Sequence, residues 1–129
     1  MNALASATTG EGRLASFEWP QVERDLDTQG SALLPGLLTP EECAAIAGLY
    51  GREDGFRSRV VMSRHGFGRG EYRYFAYPLP ALVGGLRTRL YPRLVGIANR
   101  WNETMGIAAR YPDDHAAFLA RCHEAGQQR

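Results

Sequence analysis

The chain has 129 residues, 44% hydrophobic and 22% charged, with a formal net charge of +1. These are the proportions of one ordinary globular domain, and they exclude a chain that is disordered throughout. No apolar run approaches the length of about eighteen residues that a membrane span needs, and the opening MNALASATTGEGR has neither the basic start nor the apolar core of a secretory signal, so the expected location is cytoplasmic.

The small net charge hides an uneven distribution. Residues 1–51 hold two arginines against seven acids, residues 52–110 eleven against four, and residues 111–129 two against three; there is no lysine. A basic middle can attract phosphates or carboxylates, or it can pair with the acidic first third, and internal pairing is the simpler expectation. Cys43 and Cys122 are too few and too far apart for a disulfide scaffold, and both read as reduced, at least half-buried thiols.

In chain order, residues 1–15 read as a mobile tail and residues 16–129 as a single, incomplete domain. Gln21–Gln29 reads as a short helix, with Pro20 near its start and Gly30 as its stop. Ser31–Leu38 reads as a strand broken by Pro35-Gly36. Thr39 then stands at a helix N-cap, with Pro40 at the first helical position and Glu42 three residues on, which is a capping box. The helix Pro40–Leu49 should bury Cys43, Ile46 and Ala47, with Tyr50 beside them, and end at Gly51 in the left-handed conformation. Phe56–Met62 alternates as a strand, Ser63–Gly70 is a flexible glycine-rich link, and Glu71–Tyr77 returns as a second strand, so the three form a hairpin. Pro78–Met105 is one helix kinked at Pro92, with Leu82, Leu86, Leu90, Leu94, Ala98, Trp101 and Met105 on its apolar face, Val83, Val95 and Ile97 widening that face, and Gly106 at its end. A last helix, capped by Asp113, carries Phe118, Leu119 and Cys122 and stops at Gly126.

Chemistry is sparse. His115 and His123 are eight residues apart on one helix, about 12 Å in rise, so they cannot share a metal. His65 has no visible nucleophile or orienting partner. The spacing in Gly66-Phe67-Gly68-Arg69-Gly70 departs from the dinucleotide fingerprint, and a strand follows it where a helix should; it reads as a hairpin tip. Arg57, Arg59, Arg64, Arg69 and Arg73 alternate with Phe67, Tyr72, Tyr74 and Phe75. That pattern resembles a nucleic-acid surface of strands and aromatics, but the near-neutral balance of the whole chain and a core role for the aromatics argue against it, so nucleic acid is not the expected partner; arginine recognition of a carboxylate fits the pattern equally.

The strings GSALLPGLLTPEECAAIAGLY, RSRVVMSRHGFGRGEYRYFAYPLP and LYPRLVGIANRWN closely resemble the N-terminal part of a bacterial family of 2-oxoglutarate- and Fe(II)-dependent oxygenases of the prolyl-hydroxylase-like kind. The resemblance covers about residues 17–129. It implies an α+β fold: helices packed on a few antiparallel strands, as in the front half of a double-stranded β-helix enzyme without its complete barrel. It also implies an oxidoreductase that, when complete, uses Fe(II) and 2-oxoglutarate to oxidise a peptide or small molecule. The family binds iron through His-x-Asp and a distant His. Here His65 is followed two residues on by Phe67, His115 by Ala117 and His123 by Ala125. In the family the iron motif lies beyond the segment matching Ala120–Arg129. The expectation is therefore a fragment or truncated gene product with no catalytic residues, metal ligands or cofactor of its own, and inactive alone. Arg64, His65, Arg69 and Tyr72 are candidates for substrate contact at the barrel mouth. The unsupported apolar face of Leu82–Met105 predicts exposed patches, marginal stability or self-association. The alternative is a non-enzymatic module that binds a partner or nucleic acid through its arginine-rich middle.

Overall fold

The computed structural model describes residues 10–127. Among them are five α-helices and one antiparallel pair of strands: α1 Gly10–Ala15, α2 Trp19–Gln29, α3 Pro40–Leu49, β1 Phe56–Val61, a 3-10 turn Met62–His65, β2 Glu71–Phe75, α4 Ala81–Thr104 and α5 His115–Glu124. The class is α+β, as expected. The tail expected over residues 1–15 falls outside the described residues for 1–9, and the remainder forms α1. The chain groups into two compact units, one within Met1–Leu38 and Gly85–Gln128, the other within Thr39–Gly84.

In the helical unit the buried apolar side chains are Leu14, Val22, Val95 and Ile97. α2 begins with Pro20 in its first turn and ends at Gly30, whose φ of 75° lets its N–H reach Leu26 O. The Trp19 indole donates to Leu14 O at 2.9 Å, and the Arg93 guanidinium lies 4.9 Å from the Trp19 ring centroid, so one aromatic ring joins α1, α2 and α4.

A second tie joins α2 to α4. The Asp27 carboxylate accepts from the Trp101 indole at 2.7 Å and from Arg100 Nη2 at 2.9 and 3.0 Å. The Trp101 hydrogen bond, then that from Arg100, holds the Asp27 carboxyl below its ordinary range. A depressed carboxyl contributes stability above its unfolded pKa, and that contribution is lost as pH falls through the folded value. Thermal midpoints should therefore fall as the protein is acidified below about pH 4, and Asp27→Asn should show a smaller acid-dependent drop. Equal acid sensitivity of the two proteins would remove Asp27 from the account.

Pro92 lies inside α4, and the helix continues through it as expected. Only part of its expected apolar face is enclosed. The buried positions are Val95, Ile97 and Asn102, whereas Leu94, Trp101 and Met105 are exposed. Beyond α4, Gly106 turns the chain at φ 73°. Asn99 Nδ2 donates to Tyr111 O at 2.9 Å while Asn99 Oδ1 accepts from Tyr111 N at 2.7 Å, and Asn102 Nδ2 donates to Ala109 O at 3.1 Å. Two amides one helical turn apart thus bind the irregular segment 107–111 to α4. α5 follows, capped by Asp114 one residue later than expected. Tyr91, Tyr111, His115 and Phe118 form an aromatic cluster, with Tyr91 Oη donating to Pro112 O at 2.5 Å.

Ser31–Leu38 is not a strand. Its residues are irregular, with a turn at Pro35-Gly36, and Leu33 is 86% exposed. A strand needs a ladder partner, and apolar composition alone supplies none.

In the second unit the capping box of α3 is complete: Glu42 N donates to Thr39 Oγ1 at 3.1 Å and Thr39 N donates to Glu42 Oε1 at 2.9 Å. Thr39→Ala should cost about 1 kcal/mol in urea unfolding by losing this cap; no change in the midpoint would show that the cap adds nothing. Contrary to the sequence reading, Cys43 and Ala47 are exposed, as is Tyr50, and Ile46 is half-buried. Nor is Gly51 a left-handed stop. The helix ends through αR Tyr50, whose N–H reaches Ala47 O at 3.2 Å.

Candidate functional site

β1 and β2 form the expected hairpin, in the register Ser58↔Tyr74, Arg59↔Arg73, Val60↔Tyr72 and Val61↔Glu71, with an irregularity between Phe56 and Ser58. Arg59 and Arg73 oppose each other directly, a like-charge pair that destabilises unless each finds another partner. Both do. Arg59 ion-pairs with Glu71 through Nε and through Nη2 at 2.9 Å. Arg73 Nη1 donates to Tyr50 O at 3.0 Å and Arg52 O at 2.8 Å, and its guanidinium lies 4.8 and 5.1 Å from the Tyr50 and Phe56 ring centroids. The Arg59 and then the Tyr50 hydrogen bonds hold the Glu71 carboxyl low, while desolvation, then Glu71, raises Tyr50. Arg57 stacks near Tyr74 and Tyr77, 5.8 and 6.0 Å from their centroids.

The arginine-rich middle is compensated only in part, since its eleven arginines face four acids in the same segment. Among the described residues Arg52–Asp54 and Arg59–Glu71 pair inside it, and Arg100–Asp27 reaches back to the acidic first third.

The glycine-rich link is a hydrogen-bonded tip. Met62–His65 makes one 3-10 turn closed by Gly66 at φ 72°. Met62 N donates to Gly70 O at 2.9 Å and Phe67 N to Met62 O at 3.2 Å, with Gly68 and Gly70 at φ 99° and 103°. Only glycine takes these angles without strain, which explains their spacing. Of the four candidate contact residues, Arg64 and His65 lie in the turn, Arg69 between its glycines and Tyr72 on β2, and only His65 and Tyr72 are brought to a common surface. His65 and Tyr72 line one cavity of about 280 Å³ with Val60, Met62 and Phe67. Arg64 and Arg69 flank it along the chain, exposed. Phe67, noted in the sequence among the interleaved aromatics but not among the four contact candidates, is 74% exposed.

The iron implied by the resemblance does not fit the described residues, among which no three His, Cys, Asp or Glu side chains converge on a common point. His115 is packed against Tyr91 with ring centroids 5.2 Å apart, and burial, then Arg87, pushes its pKa below the ordinary value while Asp114 opposes this. No helix among the described residues is long and apolar enough to cross a membrane.

Residues 70–129, just under half of the chain, match the family Oxygenase-NA, described as an oxygenase catalysing oxidative methylation of damaged DNA. The match begins at the last glycine of the hairpin tip and runs through β2, α4 and α5, so this part of the chain is similar to an oxygenase family. Two uncharacterized proteins of Mycobacterium tuberculosis, MT2286 and Rv2227, from two strains, are each 42% identical to the chain over 55 residues, covering 43% of the chain and 24% of their own length. The chain thus spans about a quarter of the length of the curated relatives it matches. No solved structure matches it.

Proposed function

We propose that the chain is a portion of a 2-oxoglutarate- and Fe(II)-dependent oxygenase whose substrate is damaged DNA, with the hairpin unit as a nucleic-acid contact and the iron ligands outside the described residues. The observation that carries this reading is the match of residues 70–129 to an oxygenase family described as acting on DNA. The alternation of arginine and aromatic residues in the hairpin supports the choice of DNA over a peptide. In this reading the described residues contribute scaffold and substrate contact: Phe56, Phe75 and Tyr50 pack the hairpin, and the tip carries a ring-lined cavity with exposed Arg64 and Arg69 in the same loop.

The test is release of succinate from 2-oxoglutarate by the product of the whole reading frame, given Fe(II) and a methylated oligonucleotide. Turnover with DNA is expected, and none from the 129-residue chain alone. Turnover with a proline-containing peptide but not with DNA would move the substrate to the prolyl-hydroxylase-like alternative. No consumption of 2-oxoglutarate with either substrate would remove the oxygenase reading.

A further inference from the structure

We infer that the cavity at the hairpin tip is a stacking slot for one unpaired base of single-stranded DNA, with Arg64 and Arg69 on the adjoining phosphates. The inference deepens the DNA reading above and rests on it.

Four observations carry it. First, the lining is Val60, Met62, His65, Phe67 and Tyr72, an apolar and ring-bearing wall in a space of about 280 Å³. That lies at the lower end of the ~300–1,000 Å³ of small-molecule sites, room for a group the size of one base. Second, Phe67 and Tyr72 are 74% and 44% exposed, which leaves ring surface for a ligand to cover. Third, the tip is already held by its own backbone bonds, Met62 N to Gly70 O and Phe67 N to Met62 O, so less ordering is needed on binding. Fourth, the charges are sorted. Within residues 56–75 five arginines face one acid, Glu71. Arg59 is committed to Glu71, while Arg57 and Arg73 lie over rings of their own unit. Arg64 and Arg69 stand exposed on either side of Phe67 in the chain.

A ring-lined slot in a loop that also carries two exposed cations fits a ligand that is flat, apolar on its faces and joined to anions. An unpaired nucleotide within a strand has that form. A paired base does not, because its faces are covered by its neighbours. A peptide aromatic could enter the slot but would leave both arginines without phosphates.

The test is fluorescence anisotropy of the 129-residue chain with an oligothymidylate of about ten nucleotides, an abasic strand of the same length, a duplex and the matching RNA. The wild type should bind the single strand more tightly than the abasic strand, the duplex or the RNA. Phe67→Ala should weaken single-strand binding about tenfold, to the level of the abasic strand, and Phe67→Trp should restore it. Arg64→Ala with Arg69→Ala should flatten the slope of log affinity against log salt by about 1.4, near 0.7 for each lost phosphate contact. Phe67 is exposed, so its variants should keep the wild-type thermal midpoint.

If the wild type binds single strands and Phe67→Ala binds them equally well, the slot is overturned and the DNA reading stands. Equal binding of abasic and normal strands, or of duplex, has the same consequence. Tighter binding of RNA would overturn the choice of DNA. If no nucleic acid binds even at low salt, the slot and the hairpin contact in the proposed function both fall, and succinate release decides the oxygenase reading separately.

Discussion

Ile97→Ala is expected to lower the urea midpoint of the helical unit by roughly 1–3 M, the effect of losing about 2–5 kcal/mol at an ordinary denaturant slope. Ile97 is 3% exposed and one of four buried apolar side chains among the described residues. Typical net stabilities are about 5–15 kcal/mol. With so few enclosed apolar groups, and with Leu94, Met105 and Ile107 at the surface, the unit should sit at the low end of that range, so one cavity removes much of it. Trp19 and Trp101 both lie in this unit and report its unfolding by fluorescence. Leu94→Ala, at a residue 40% exposed, should shift the midpoint far less. Equal shifts for the two variants would mean that burial does not rank these positions.

The double variant Asn99→Ala with Asn102→Ala should cost roughly 3 kcal/mol, about one for each of three side-chain hydrogen bonds lost. Two of these bonds satisfy both backbone groups of Tyr111, and the third satisfies Ala109 O. Asn102 is also 8% exposed, so its amide was desolvated on folding and depends on its partner. Hydrogen exchange gives a readout that a general loss of stability would not. The Tyr111 amide should lose protection ahead of amides in the middle of α4, because its acceptor is Asn99 Oδ1. A uniform loss along the unit would show that the two side chains stabilise α4 itself and do not hold the segment.

What was legible in the sequence was local. The α3 capping box, the Gly30 stop, the hairpin and the passage of α4 through Pro92 all follow from neighbouring residues, and all are present. What failed needed distant partners. Ser31–Leu38 has strand-like composition but no ladder. The expected apolar stripe of α4 held Val95 and Ile97, which are buried, together with Leu94 and Trp101, which are exposed, because burial within a stripe follows whatever packs on the helix. Asn99 and Asn102, poor helix formers one turn apart, were a readable anomaly. Their partner segment was not readable, since Tyr111 and Ala109 reach them only through the turn at Gly106. At the candidate site, the grouping of Arg64, His65, Arg69 and Tyr72 came from their nearness in the chain, whereas the wall of Val60, Met62 and Phe67 needed the hairpin register.

The hairpin's fixed cations are all guanidinium groups: Arg57 and Arg73 lie over rings at Tyr50, Phe56, Tyr74 and Tyr77, Arg59 is bound to Glu71, and Arg64 and Arg69 are exposed. Lysine in their place would shed its charge near pH 10.4, whereas arginine keeps its charge beyond about pH 12. If the hairpin contacts DNA as proposed, its arginines stay charged in alkali, and salt is the variable that tunes their contribution.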